Sequence, residues 1–417
     1  MDNISLFAQF FALFKSPFFF AFWKFVFWSS PVWLPVVLIY SFAYLWLKWR
    51  RKRFILSHNY VLLEVRLAAD ISHSPKAMES VFSGLHIKAG ETTWFDRLIK
   101  GKVRPWFSFE LASIDGQIHF YIWTREATRN IVEAQVYAQY PEVEIIEAPV
   151  DYSRAVQYVP GKTGLWGANF KLAKPDPYPI KTYVDYGLDR EGIDEEEKTD
   201  PIASVFEFLT SLKEGEQAWI QILIQATKNK DRRRPGGHWW QKEGWKDEAK
   251  RVISELREET MVERGDNGVR IPNPTKGQTD IINAIERSTN KHGFECGIRG
   301  VYWARAEAYT GTNIPGLIAT MKHFSTNNLN GIEIASVTDY SYPWQDYKKW
   351  REKRNCRYML EAYRKRSWFY PPYKRKTFVL NTEELATIYH FPGRVVQAPG
   401  LPRIESKRGG APTNLPT

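Results

Sequence analysis

Between Phe25 and Leu47 the chain carries no formally charged side chain. As a helix, those 23 residues would extend about 34 Å at ~1.5 Å per residue, enough to cross a ~30 Å hydrocarbon core. Aromatic residues gather near both ends: Trp23 and Trp28 on one side, Tyr44, Trp46 and Trp49 on the other. Amphipathic rings settle at such depths of a bilayer. Lys48, Arg50, Arg51, Lys52 and Arg53 then end the run. Basic residues beside a span favour the cytoplasmic side, so everything after Arg53 is expected in the cytoplasm. The chain is thus expected to be a single-pass membrane protein with its bulk in the cytoplasm. A signal peptide carries its basic residues before the apolar run, whereas here they follow it. Pro31 and Pro35 predict a kink, or a helix that starts near Pro31. Residues 1–53 are read as the anchor, and Met1 to Trp28 as either an interfacial segment or a second, imperfect span.

A chain of 417 residues predicts two or three domains. Its net charge of +11 is uneven. Between Tyr340 and Lys376 stand twelve Lys or Arg and three Asp or Glu, a local net of +9. Such a segment suits nucleic acid, anionic lipid or an acidic protein face. The two cysteines, Cys296 and Cys356, exclude a disulfide framework and agree with a reducing cytoplasm.

Beyond the anchor the periodicities predict an α+β fold. In residues 57–150, Tyr60 to Ala69 reads as a strand, and Ser74-Pro75 opens a helix with Met78, Val81, Phe82 and Leu85 on one face. Two alternating strands meet at Asp115-Gly116, a hairpin signal. A helix from Thr124 and a strand over Val143 to Ala148 follow. This β-α-β-β-α-β order is that of a ferredoxin-like module. A strand and a Pro-rich, acidic connector, including Asp194 to Glu197, fill 151–200. A second ferredoxin-like module is expected over 201–340, its first strand drawn from Trp166 to Leu172. A helical insertion, 228–293, interrupts it and carries Arg232 to Arg234 and Trp239-Trp240. Residues 341–376 read as a basic helix. Residues 377–417 read as a short helix, capped by Asn381 and Glu384, and an extended tail.

Gly161-Lys162-Thr163 ends like a phosphate-binding loop, but Val156 stands where that loop needs its first glycine, so a turn is expected. The eight His have no metal-ligand spacing, and no nucleophile motif is present. No catalytic, cofactor-binding or metal residue is expected, and no cofactor. The basic helix is the functional candidate. Lys348, Lys349, Arg351, Lys353, Arg354, Arg357, Arg364, Lys365, Arg366 and Trp368 could contact nucleic-acid phosphates and bases, or lipid headgroups. A solvated helix face is the alternative for the same residues.

Four stretches resemble a known family: Glu133 to Glu147, Glu214 to Ile224, Leu380 to Pro392 and Ala398 to Pro416. They look like the membrane-proximal region of bacterial conjugation or type IV secretion-like ATPases, of the HerA/FtsK-type DNA-pump superfamily. In that family such a tail leads into the motor domain, and this chain stops at Thr417. The resemblance implies a membrane-anchored, non-catalytic component that docks a hexameric motor ATPase supplied in trans, with Leu385, Ile388, Tyr389 and Phe391 as docking residues. The alternatives are a membrane-tethered nucleic-acid-binding protein and the motor-less half of a split ATPase. Homo-oligomerisation is left open.

Overall fold

The structure, a computed structural model, describes residues 17–68, 73–91, 93–190, 200–228, 232–233, 242–264, 269–340, 342–393 and 400–404. Met1 to Ser16, the acidic run Asp194 to Glu197, Arg234, Trp239-Trp240 and most of the tail lie outside these residues. The chain divides into two compact units, one holding residues 1–57 and 91–103, the other the remainder.

The first unit is built on α1, Pro17–Leu56, a continuous helix of 40 residues. It begins well before Pro31 and runs through both prolines, so the expected start near Pro31 is corrected. Proline at position 31 removes the N–H that would bond the Phe27 carbonyl. The Ser30 hydroxyl donates to that carbonyl instead, at 2.6 Å. This local substitution keeps the freed backbone group satisfied. Within the described residues α1 is the one helix long and apolar enough to cross a membrane.

The second unit is organised by a ten-stranded, largely antiparallel sheet. Its first half comprises β1 (Tyr60–Ala68), α2 (Pro75–Gly84), β2 (Phe107–Ile114), β3 (Gln117–Arg125), α3 (Arg129–Gln139) and β4 (Glu144–Glu147). The next run is β5 (Thr163–Leu172), α4 (Pro201–Thr210) and β6 (Glu216–Ala226). The insertion contains β7 (Arg232–Arg233), β8 (Lys242–Glu243), α5 (Trp245–Glu259), β9 (Met261–Arg264), β10 (Val269–Pro272) and α6 (Lys276–Thr289). The chain returns through β11 (Gly293–Arg305), α7 (Asn313–Lys322) and β12 (Ile332–Val337). It finishes with α8 (Trp350–Arg364), β13 (Phe378–Asn381), α9 (Thr382–Ile388) and β14 (Arg403–Ile404).

The strand order is β12-β5-β11-β6-β2-β3-β1-β14, with β13 also on β11 and β4 also on β1. The halves join edge to edge where β2 and β6 pair antiparallel from Phe107↔Ile224 to Ile114↔Gln217. The hairpin turn is where the sequence put it, with Asp115 and Gly116 at φ 52° and 81°.

Period-two alternation sorts the central strands into two faces. Phe109 and Leu111 of β2 and Ile220, Ile222 and Ile224 of β6 enter the apolar core with Phe82, Val136, Phe206 and Leu317 from the helices. Ser108, Glu110, Trp219 and Gln221 point to the opposite face. There Tyr363 of α8 and Tyr152, from the single helical turn Tyr152–Ala155, meet them.

Candidate functional site

The expected basic helix over 341–376 is shorter than its charge pattern suggested. Two 3-10 turns, Pro343–Gln345 and Tyr347–Lys349, precede α8. Lys348 and Lys349 both adopt left-handed φ, at 54° and 55°. Neither can therefore continue a right-handed helix. With Lys349 offering no side-chain cap, Asp346 supplies one: its carboxylate accepts the N–H groups of Arg351 at 2.7 Å and Glu352 at 2.6 Å. α8 then turns Cys356, Met359, Leu360 and Tyr363 inward at helical spacing.

What faces outward is a strip of cations and rings. Lys348, Lys349, Arg351, Lys353, Arg354 and Arg357 are exposed, as is Lys365 further along. Trp344 is 79% exposed, Tyr347 78% and Trp350 64%, values at which a large ring has an open face. Tyr342 stacks on Trp344 with centroids 4.7 Å apart. Arg354 lies over the Trp350 ring at 5.0 Å and Lys348 over Tyr347 at 5.2 Å. Tyr342, Trp344 and Tyr347 were not foreseen. Their only signal was composition, because they stand before the helix, where no periodicity marks a face.

Three of the expected contact residues are corrected. Arg366 is 1% exposed, and its side chain is spent inward. It forks onto Glu110 at 3.0 and 3.1 Å and also binds Asp151. Glu110 further accepts from Ser108 at 2.6 Å, Gln221 at 2.8 Å and Tyr152 at 2.8 Å. Burial raises the Asp151 carboxyl, but the Arg366 fork outweighs it and holds the group below its ordinary value. Trp368 is buried as well; it stacks against Arg299 at 4.9 Å and donates to the Lys376 carbonyl at 3.2 Å. A Cβ on Gly297 would come within 2.2 Å of the Trp368 ring, so only glycine lets the indole close on β11. Arg364 is partly buried and donates to the carbonyls of Ser153, at 2.9 Å, and Val156. These residues clamp the strip to the sheet and do not present it.

The expected docking residues are corrected too. Leu385, Ile388, Tyr389 and Phe391 all lie in the core. Tyr389 meets Phe109 at 5.1 Å, and Phe391 meets Tyr140 at 4.9 Å and Phe120 at 5.4 Å. They have no surface left for a partner. The capping box of α9 is present, with the Glu384 N–H donating to Asn381 and the Asn381 N–H to Glu384, each at 2.8 Å. Part of the tail expected to be extended pairs with the sheet: Arg403 and Ile404 form the short parallel strand beside Leu67 and Ala68.

Gly161-Lys162-Thr163 forms a turn leading into β5. Among the described residues no group of three or more His, Cys, Asp or Glu is placed to hold a metal ion. The chain is therefore a mixed α/β protein with a long apolar helix and an exposed basic-aromatic strip. Residues 57–401 match the family described as Domain of unknown function (DUF8128), and the chain belongs to that family. No curated protein matches it.

Proposed function

We propose that this chain is a membrane-anchored, non-catalytic component of a type IV secretion- or conjugation-like apparatus. It holds single-stranded nucleic acid at the cytoplasmic face of the cell inner membrane, while a hexameric ATPase acts in trans. The strip Tyr342 to Tyr358 carries this reading. Cations neutralise phosphates and release counterions, and open aromatic faces stack bases of any sequence. The buried placement of Leu385, Ile388, Tyr389 and Phe391 removes the alternative surface for contact.

Each half of the sheet is, on this reading, a ferredoxin-like module. The strand orders β4-β1-β3-β2 and β12-β5-β11-β6 support it, because they are equivalent when each half is numbered from its own first strand. Segments that carry the resemblance to conjugation ATPases supply α3, β4, β6 and α9. The resemblance thus involves the sheet and the elements packed on it, and no motor.

The test is a salt titration of the purified full chain with a fluorescent single-stranded oligonucleotide. Binding should weaken linearly in log–log form, with a slope of about −0.7 per phosphate neutralised. Changing Lys348, Lys349, Lys353, Arg354 and Arg357 together to Gln should flatten the slope and leave the melting temperature in place. Binding that is absent at low salt, or unchanged in that variant, sinks the reading. Retention of a hexameric ATPase on the wild-type strip, with no nucleic-acid binding, would move the assignment to an acidic protein face.

A further inference from the structure

The segment Trp94 to Lys102 sits in the same unit as α1 and is fastened to the end of its apolar run. The Trp46 indole donates to the Leu98 carbonyl at 3.2 Å, and Arg50 Nε donates to the Ile99 carbonyl at 2.6 Å. The backbone packs closely enough that a Cβ on Gly101, itself at φ +67°, would come within 2.6 Å of the Arg50 carbonyl carbon. The two accepting carbonyls lie within Asp96–Lys100, which forms one π-helical turn, a rare form.

What this turn displays is apolar. Trp94 is 67% exposed, and Phe95, Leu98 and Ile99 are all exposed beside it. Trp94 and Phe95 contact edge to face at 6.0 Å and leave their outer faces open. Four exposed large apolar groups on one turn are costly in water and need a cover. Around them stand Arg97, Lys100 and Lys102, while the adjoining helix end carries Lys48, Arg50, Arg51, Lys52 and Arg53. Lys100 and Lys102 also reach Asp96, each at 3.2 Å, which ties the turn together.

We propose that Trp94–Ile99 is a second membrane-contact element, a re-entrant turn whose apolar side chains enter the headgroup–acyl boundary next to α1. This rests on the reading that Phe25 to Leu47 spans a bilayer. The depth follows from the attachment. Trp46 and Arg50 mark where the uncharged run of α1 gives way to its basic cluster, which is where the hydrocarbon ends. A turn tied to those residues sits at the same level, with rings and aliphatic groups toward the lipid and cations toward anionic headgroups. Continuity with the spanning helix and this charge pattern identify the cover as lipid, not a protein. The consequence is a two-point attachment that limits rotation of α1 about its own axis.

The test uses the full chain in vesicles of phosphatidylcholine with phosphatidylglycerol and nitroxide labels on single introduced cysteines. Cys296 and Cys356 are both buried and stay unlabelled in the folded protein. Labels at Trp94→Cys and Leu98→Cys should collide with oxygen several-fold more, relative to a water-soluble nickel chelate, than a label at Lys353→Cys. A label at Val37→Cys reports the bilayer interior independently. If positions 94 and 98 behave like 353 while 37 reads bilayer, the turn is not in lipid and this inference falls alone. If 37 also reads water, the spanning helix and the inference fall together.

Discussion

Arg366 and Arg357 belong to one basic run, yet their surroundings give them unrelated tasks. Arg366 is the shared partner of the buried Glu110 and the partly buried Asp151. Arg366→Gln would leave the buried Glu110 without its counter-ion, and breaking a buried pair costs ~3–5 kcal/mol. Its melting temperature should therefore collapse. Arg357→Gln, on an exposed helix face, should stay within about 0.5 kcal/mol of the parent while lowering the salt slope of single-strand binding by about 0.7. Thermal melts and salt titrations on both variants check the pair.

His86 gives a second residue-level prediction. Burial, helped by His292 stacked at 4.6 Å and by Lys88 and Lys246, pushes its imidazole down to about 4. Its Nε2 lies 3.1 Å from the Gly293 carbonyl, which a neutral ring can satisfy as donor. Below about pH 6.5 the unfolded chain takes up a proton that the folded chain refuses until about pH 4, so stability falls through that window. His86→Gln should flatten this acid-side loss in denaturant midpoints measured between pH 7 and 4. A wild-type slope retained in the variant would assign the loss to other groups.

At the scale of elements, the strip depends on rings before and at the start of α8. Trp350→Ala should weaken single-strand binding by about 1–3 kcal/mol, the value of one stacked base, without unfolding the domain. Trp368→Ala should do the reverse, destabilising the fold by about 3–5 kcal/mol as a large core ring is removed. Fluorescence anisotropy and melting curves on the two variants separate the roles. These two tryptophans also show how far the sequence could be read. Element types and order were legible, because Met78, Val81, Phe82 and Leu85 repeat at helical spacing and Asp115-Gly116 marks a hairpin. Which cations face water was not. Arg366 follows Arg364 and Lys365 with nothing local to set it apart. Its partners, Glu110 and Asp151, are remote in sequence and meet it only once the sheet is assembled. The same limit hid the fate of α9. Leu385, Ile388 and Tyr389 looked too few to stand alone, and they complete a core whose other walls come from β2, β3 and α2.

The whole molecule joins a hydrophobic helix to a domain that carries a basic and aromatic surface, and the function proposed above rests on having both in one chain. A sheet continued through β2 and β6 makes the second unit a single folded body, so the strip is borne on a firm support. The measurement that tests this most directly is flotation of proteoliposomes, made from neutral phosphatidylcholine and the full chain, with a labelled single-stranded oligonucleotide. Neutral lipid removes any attraction between DNA and the vesicle itself. The account predicts that protein and oligonucleotide rise together at low salt. Raising the salt, or changing Lys348, Lys349, Lys353, Arg354 and Arg357 to Gln, should leave the oligonucleotide at the bottom while the protein still floats. Oligonucleotide that stays at the bottom with the floating wild-type chain would contradict the account, as would a chain that fails to float.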